Sequence, residues 1–495
     1  MRLRYRESSD RLRVQRSGPY LVRYLSTRDP RATPVTLSFA EALLAGLAED
    51  GGLYLPDQLP ILAPAALGNC GSLSYPDLAA RIVSLFTGDS FPASELHRLT
   101  AAAYGRFRHA GVAPLVQLNE RVWLLELFHG PTLAFKDLAL QLVSLLFDAV
   151  LARRREHVTI IGATSGDTGS AAIEACRDRE AIDIFILYPR DRVSEVQRRQ
   201  MTTVEAANVH AVAIEGTFDD CQDLVKALFA DIRLRRKLNL SSVNSINWAR
   251  IAAQTVYYIA AGVALGAPTR AISFSVPTGN FGNVYAGHVA RCMGLPIDRL
   301  VIGTNRNDIL ARYFATGRMA LAAVEPSLSP SMDIQISSNF ERLLFELKGR
   351  NGAAVGEAMR IFRQSGSLPE DEQGWRAARR LFSACRVDDS ETVQTIAKTY
   401  ARSGILIDPH TAVAVAAAEA EIVARDGGTP MIALGCAHPA KFPEAVERAT
   451  GVRPALPAAL GDLLERRERI IALPNELSAV TGFIRAHARR VGALT

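Results

Sequence analysis

Cysteine is scarce and scattered. Six occur in 495 residues (Cys70, Cys176, Cys221, Cys292, Cys385 and Cys436), with no CxxC pair. That spacing offers neither a disulfide framework nor a thiolate zinc site, and no metal is expected. Long hydrophobic runs are missing too: the longest, around 256–267, is too short to span a bilayer. The first residues lack the apolar core of a signal peptide. There is no internal repeat and no low-complexity segment. Neither of the two Gly-rich loops is a Walker A or a GxGxxG motif, so nucleotide-binding fingerprints are absent as well.

An excess of one charge is lacking over nearly the whole chain. The net charge is +6, but residues 1–28 hold eight arginines against Glu7 and Asp10, leaving 49 charges of each sign in the other 467. The pI near 9 therefore belongs to a tail and argues against a nucleic-acid partner. The acids in that tail, and its want of a Ser-rich stretch, weigh against a transit peptide. Residues 1–22 are expected to be a disordered extension or the product of a start codon placed too early. With 48% hydrophobic and 22% charged residues, the chain has material for two or three domains with sizeable cores. It reads as a reduced, soluble, cytoplasmic protein without a membrane partner.

What is present is an alternation of strands and helices. Residues 36–48 predict a short amphipathic helix opened by a capping box, Ser38 with Glu41. The pattern stays helical and loop-rich to about 118. Uninterrupted apolar strands then follow at 122–128, 157–163, 183–189, 271–277 and 430–436. Such strands between helices predict parallel sheets covered on both faces, an α/β fold. The expected division is 23–118, 119–270 and 271–495, with a helical elaboration at about 340–400.

The polar and Gly-rich clusters fall where a strand has ended and a helix has yet to begin, the place where open parallel sheets bind ligands. "TSGDTGSAA" (164–172) and "PTGNFGNVYAG" (277–287) each offer backbone N–H groups at a helix start, a cradle for anions. Either alone reads equally well as an ordinary turn. Lys136, in "FHGPTLAFKDLAL" (128–140), stands among apolar residues between a buried strand and a buried helix. Lysines in apolar stretches commonly snorkel. One kept dry has a lowered pKa and a neutral amine able to form a Schiff base. A Schiff-base lysine, a phosphate cradle and a carboxylate cradle form the minimum set for pyridoxal phosphate acting on an amino acid.

The segments "FHGPTLAFKD", "GATSGDTGSAA", "VPTGNFGN", "SSNFERLL", "DPHTAVA" and "AHPAKFPEAVE" resemble the threonine synthase family, in family order. The likeness is to the longer fungal and bacterial form and runs from about Arg23 to about Ala449. It implies a fold-type-II pyridoxal-phosphate enzyme, tryptophan synthase β-like, with a threonine-synthase-type N-terminal domain. It also implies conversion of O-phospho-L-homoserine and water to L-threonine and phosphate by a monomer or homodimer. Carried over by position, Lys136 would bind the cofactor. Gly279, Asn280, Phe281, Gly282 and Asn283 would hold its phosphate. Thr164, Ser165, Gly166, Asp167 and Thr168 would lie beside the substrate carboxylate and the cofactor's 3′ oxygen. Ser337, Ser338, Asn339 and Arg342 would lie near the substrate phosphate, with a structural ion pair the other reading of Arg342. His129 and His438 are read as loop-shaping residues.

One position departs from the family. A Thr usually precedes "AHPAKF", with its hydroxyl facing the pyridine nitrogen, and this chain has Cys436. A thiol is the weaker hydrogen-bond partner. The cofactor assignment survives, and two other outcomes stay open: a paralogue that only eliminates phosphate, giving 2-oxobutanoate, or one that acts on another γ-activated or phosphonate amino acid. A reading from another class is a pyridoxal-phosphate-binding protein that has lost catalysis.

Overall fold

The computed structural model describes residues 21–241, 245–425 and 428–489. All but the last two positions of the expected N-terminal extension lie outside the described residues. Two sheets carry the molecule. The larger has six strands in the spatial order Phe382–Arg386, Ile297–Thr304, Ile272–Pro277, Met431–Gly435, Val122–Glu126 and Leu115–Gln117. All neighbours are parallel except the last pair. The smaller runs Ile471–Pro474, Val209–Glu215, Ile182–Pro189, Val158–Ala163 and Leu240–Ser241, parallel throughout. Ile182–Pro189 is buried at every position, as a central strand covered on both faces must be.

The sheets do not follow the expected division near 119 and 270. Val122–Glu126 pairs with Met431–Gly435, and Ile471–Pro474 joins Val209–Glu215. Each sheet thus recruits a strand from a distant part of the chain, which burial patterns along the sequence do not reveal. The strands Val209–Glu215, Ile297–Thr304 and Phe382–Arg386 were also not anticipated, the last lying inside the expected helical stretch 340–400.

A helical N-terminal unit packs on this frame. Its first helix, Phe39–Ala45, has the anticipated capping box: Ser38 Oγ accepts from the Glu41 N–H, and the Glu41 carboxylate accepts from the Ser38 N–H at 2.7 Å. A two-stranded antiparallel ribbon, Tyr24–Ser26 with Tyr54–Pro56, lies beside it. The helix Trp248–Ala264 is apolar nearly all round and buried along most of its length, as expected of a helix enclosed by neighbours. Its Trp248 ring meets Tyr24 and Phe86 of the N-terminal unit at 6.3 and 5.8 Å and Tyr285 at 6.5 Å.

Candidate active site

Lys136 is the first residue of the helix Lys136–Arg154. The loop before it is pinned to the end of Met431–Gly435. Phe135 N–H donates to the Cys436 carbonyl (2.8 Å), His438 N–H to the Leu133 carbonyl (3.0 Å), and Ala134 forms a bridge with Ala437. Asp137 ties the same loop from inside, accepting from the Thr132 N–H and hydroxyl, both at 2.7 Å. The Lys136 amine is thereby delivered to a buried position 3.4 Å from Asp167 Oδ2. Burial lowers its pKa more than Asp167 restores it, so this is a dry lysine and not a snorkelling one.

Asp167 opens the helix Asp167–Cys176 and is the electrostatic centre of the site. Its Oδ1 accepts from Lys441 Nζ at 2.8 Å and from Gln197 Nε2 at 2.9 Å, and its Oδ2 from the Ser331 hydroxyl at 3.3 Å. Burial pushes this carboxyl up, but Lys441, Lys136 and His410 together outweigh it and hold it well below the usual carboxylate range. Gln197 is locked in turn, because its Oε1 accepts from the Ser194 N–H in a capping box. Gly166, at φ 137°, lies against it: a Cβ there would stand 2.3 Å from the Gln197 amide carbon. The Thr164 hydroxyl shapes the loop by accepting from the N–H groups of Gly166 (3.0 Å) and Gly169 (2.8 Å). Ser165 is half-buried on the same loop, and Thr168 is half-buried in the first turn of the helix.

The second loop rises from Ile272–Pro277 into the helix Gly282–Cys292. Phe281 holds a left-handed conformation, φ 63°, which is strained for a bulky side chain. Its ring, buried against Phe340 (5.4 Å) and Phe382 (5.8 Å), keeps it there and turns the loop N–H groups toward the helix start. The Asn280 carbonyl accepts from Asn339 N–H and Nδ2, both at 3.1 Å, and the Gly279 carbonyl from the Ser337 hydroxyl at 2.6 Å. Asn283 Oδ1 accepts from the Tyr257 and Tyr258 hydroxyls at 2.5 and 3.0 Å, which aims Nδ2 at Cys436 Sγ, 4.0 Å away. Burial, reinforced by Asp408, pushes the Cys436 thiol far up, so it stays protonated.

The remaining expected residues divide. Ser337 and Asn339 serve the second loop, and Ser338 is half-buried beside them. Arg342 is fully buried. It donates to the carbonyls of Tyr54 (2.8 Å) and Ile246 (2.6 Å) and to Asn339 Oδ1. It acts as a clamp on carbonyls, with no ion pair among the described residues. His129 pairs with Glu126 at 2.7 Å. His438 Nδ1 accepts from the Ala440 N–H and caps the turn Pro439–Lys441 that carries Lys441.

Several site residues carry no role in the sequence reading. Lys441, at 0% exposure, holds both Asp167 and the Thr132 carbonyl (2.9 Å). It stands in the quoted "AHPAK", where nothing marks it apart from a surface lysine. Gln197 had a signal, the S-x-x-Q of a capping box. His410 joins Asp408 at 2.7 Å and accepts from the Ser331 N–H at 3.3 Å. Arg250 is buried, with Nε and Nη1 unpartnered among the described residues, and burial lowers it to about 10. It weighs on Lys136 as a like charge.

These residues fit pyridoxal phosphate. A dry amine able to lose its proton faces a carboxylate. Gly279 leaves open backbone where a Cβ would press on Ser331 and Met332 at 3.1 and 3.2 Å, and an unpaired buried guanidinium awaits an anion.

Three family models match the chain in order: threonine synthase N terminus over 23–104, pyridoxal-phosphate dependent enzyme over 107–363, and threonine synthase, C-terminal, over 411–484. A threonine synthase of Pseudomonas aeruginosa is 54% identical over 470 residues, 95% of this chain and 99% of that one. The chain belongs to the threonine synthase family. The threonine synthase of Corynebacterium glutamicum is 42% identical over 93% of this chain and 98% of its own. Among solved structures, the threonine synthase of Brucella melitensis with bound pyridoxal phosphate superposes with a TM-score of 0.91 at 52% identity, covering 94% of this chain and all of that one. The yeast threonine synthase gives 0.89 at 39% identity, over 94% and 98%. The fold is that of a fold-type-II pyridoxal-phosphate enzyme with the threonine synthase N-terminal domain, and its cofactor is pyridoxal phosphate.

Proposed function

We propose that this protein converts O-phospho-L-homoserine and water to L-threonine and phosphate. The observation that carries the reading is the buried Lys136 amine facing Asp167 at 3.4 Å, in a chain that matches threonine synthases along 95% of its length. Pyridoxal phosphate, held covalently through Lys136, supplies the electron sink for negative charge at the substrate's α-carbon. Gly279, Asn280, Phe281, Gly282 and Asn283 would hold its phosphate through backbone N–H groups, and Cys436 would stand on the side of its ring nitrogen. Lys136, freed by the incoming substrate amine, would take the α-proton and then a β-proton; after phosphate leaves, the γ-carbon and the α-carbon each regain a proton, and water supplies the hydroxyl at the β-carbon. Its depressed pKa suits it to both tasks near neutral pH.

The loop Thr164–Thr168 receives the substrate carboxylate. Lys441 and Gln197 keep Asp167 ionised and fixed, so that Asp167 orients the cofactor's 3′ oxygen. Arg250, whose two free N–H groups lack an anion, receives the γ-phosphate as charge develops on the departing oxygen. Ser338 and Asn339 stand behind that site. The proposal includes cytoplasmic action as a monomer or homodimer. No helix among the described residues is long and apolar enough to cross a membrane.

The test is incubation of the cofactor-loaded protein with O-phospho-L-homoserine, measuring phosphate, threonine and 2-oxobutanoate together. Phosphate and threonine are expected in equal amounts. 2-Oxobutanoate without threonine would sink the synthase reading and leave an elimination-only enzyme. Lys136→Ala is expected to retain the fold, lose the visible absorbance of the bound cofactor and lose all turnover.

A further inference from the structure

The short turn Pro330–Met332 touches both loops of the site. Its Ser331 hydroxyl reaches Asp167 Oδ2 at 3.3 Å, and its backbone packs on Gly279. The Ser331 N–H stands in the first turn of a 3-10 helix, directly after Pro330, and has no carbonyl of its own turn to bind. Its acceptor is His410 Nε2, at 3.3 Å. An N–H facing Nε2 requires the lone pair there, and so places the ring proton on Nδ1. Asp408 Oδ2 accepts from that Nδ1–H at 2.7 Å. The Asp408 carboxylate is itself fixed. Wholly buried, it caps the helix Pro409–Ala424 by accepting from the N–H groups of His410 (3.0 Å) and Thr411 (3.1 Å). The imidazole also packs on Phe442, centroids 4.9 Å apart, one residue past Lys441.

The two oxygens of Asp167 are served unequally. Oδ1 has two close donors, Lys441 at 2.8 Å and Gln197 at 2.9 Å. Oδ2 has two distant ones, Lys136 at 3.4 Å and the Ser331 hydroxyl at 3.3 Å. Once Lys136 is spent on the cofactor or on a substrate proton, Ser331 is the one remaining donor to Oδ2 among the described residues. A buried carboxylate oxygen left without a donor is costly.

We propose that Ser331 is a positioning residue of the reaction: aimed by the Asp408–His410 pair, its hydroxyl takes over Asp167 Oδ2 when Lys136 lets go. This rests on the reading of Lys136 and Asp167 as the working pair of the site. While Lys136 is free, the Ser331 hydroxyl competes with it for that oxygen. During turnover it keeps the carboxylate ionised and in place. Asp408 also reaches Cys436, since the Thr411 hydroxyl donates to Asp408 and accepts from the Cys436 N–H at 3.1 Å. His410 is therefore the cleaner place to cut the relay.

In cofactor-free full-length protein, the pH midpoint for reaction of Lys136 with an amine reagent reads the pull of Asp167 on that amine. Asp167, Lys441, Cys436 and Arg250 are the charged and titratable groups that bear on Lys136, and the variants alter none of them. Ser331→Ala takes a donor from Oδ2, so the carboxylate leans on Lys136 and the midpoint is expected to rise by about half a pH unit. His410→Ala is expected to raise it in the same direction. The double variant is expected to match Ser331→Ala alone, because His410 acts through Ser331. His410→Gln, whose amide oxygen can accept where Nε2 did, is expected to restore the wild-type midpoint. In the cofactor-loaded enzyme, Ser331→Ala is expected to lower kcat about tenfold with KM nearly unchanged. Ser331→Ala keeps the N–H bonded to His410, so it tests the hydroxyl even if His410→Ala does not fold. An unmoved midpoint in Ser331→Ala would overturn the inference. Additive shifts in the double variant, or His410→Gln behaving as His410→Ala does, would overturn the relay through His410. An unchanged kcat would overturn the part in turnover. A moved midpoint in a protein whose wild type does not turn over O-phospho-L-homoserine would count against the proposed reaction alone.

Discussion

Asp167→Asn takes one negative charge from between Lys136 and Lys441. Asp167 raises the Lys136 pKa by its charge, so its loss lowers that pKa further. In cofactor-free protein, the midpoint for reaction of Lys136 with an amine reagent is expected to move to lower pH, readable by peptide mass spectrometry. The same carboxyl has a depressed folded pKa. Its contribution to stability is thus present above the unfolded value near 3.8 and is lost as pH falls through the depressed folded one. Thermal unfolding of the wild type is expected to lose stability on acidification more steeply than Asp167→Asn does. Arg250→Met removes a buried guanidinium whose charge acts on Lys136 and whose Nε and Nη1 have no partner among the described residues. Loss of a desolvated charge pair is expected to cost about 2 kcal/mol, about thirtyfold in kcat/KM for O-phospho-L-homoserine, with cofactor absorbance retained. An unchanged kcat/KM would remove Arg250 from the phosphate site.

At the scale of elements, Arg342 is the joint between the helix Phe340–Leu347, the ribbon strand Tyr54–Pro56 and the loop before Trp248. Arg342→Met leaves buried carbonyls of Tyr54 and Ile246 without donors. A loss of about 3 kcal/mol is expected in urea unfolding, and Arg342→Lys is expected not to rescue it, since a single ammonium lacks the fork. Arg342 also marks where sequence reading stops. Strands such as Ile182–Pro189 were legible because all but Asp183 form one unbroken run without charge, and the two loops because glycines and N–H donors concentrate at a strand end. Lys136 was legible because an ammonium among leucines is out of place. Arg342, Lys441 and Arg250 were not, because their meaning lies in what chain 100 to 300 residues away brings to them. Tyr54 meets Arg342, and Thr132 meets Lys441, only in the folded molecule. The pairing of Met431–Gly435 with both Ile272–Pro277 and Val122–Glu126 is non-local in the same way.

For the whole molecule, one core runs from Val22 in the N-terminal unit to Cys436 beside the candidate cofactor ring. Trp248 stands where the N-terminal unit meets the helix Gly282–Cys292 that follows the candidate phosphate loop. A core shared in this way unfolds as a unit. In a variant with Trp123 and Trp375 replaced by Phe, leaving Trp248 as the single tryptophan, its emission is expected to change at the same urea concentration at which cofactor absorbance is lost. Two separate midpoints would show that the N-terminal unit melts on its own.

The short bridge between Ala134 and Ala437 gives the molecule a ruler. The amine of Lys136 and the thiol of Cys436 hang from opposite rungs of one backbone clip, held by the hydrogen bonds from Phe135 and to Leu133. The span between them is set by main chain and not by either side chain. A hydroxyl in place of the thiol would sit against the same scale, so what the sulfur changes here is a matter of proton affinity and polarisability, with the geometry of attachment held constant.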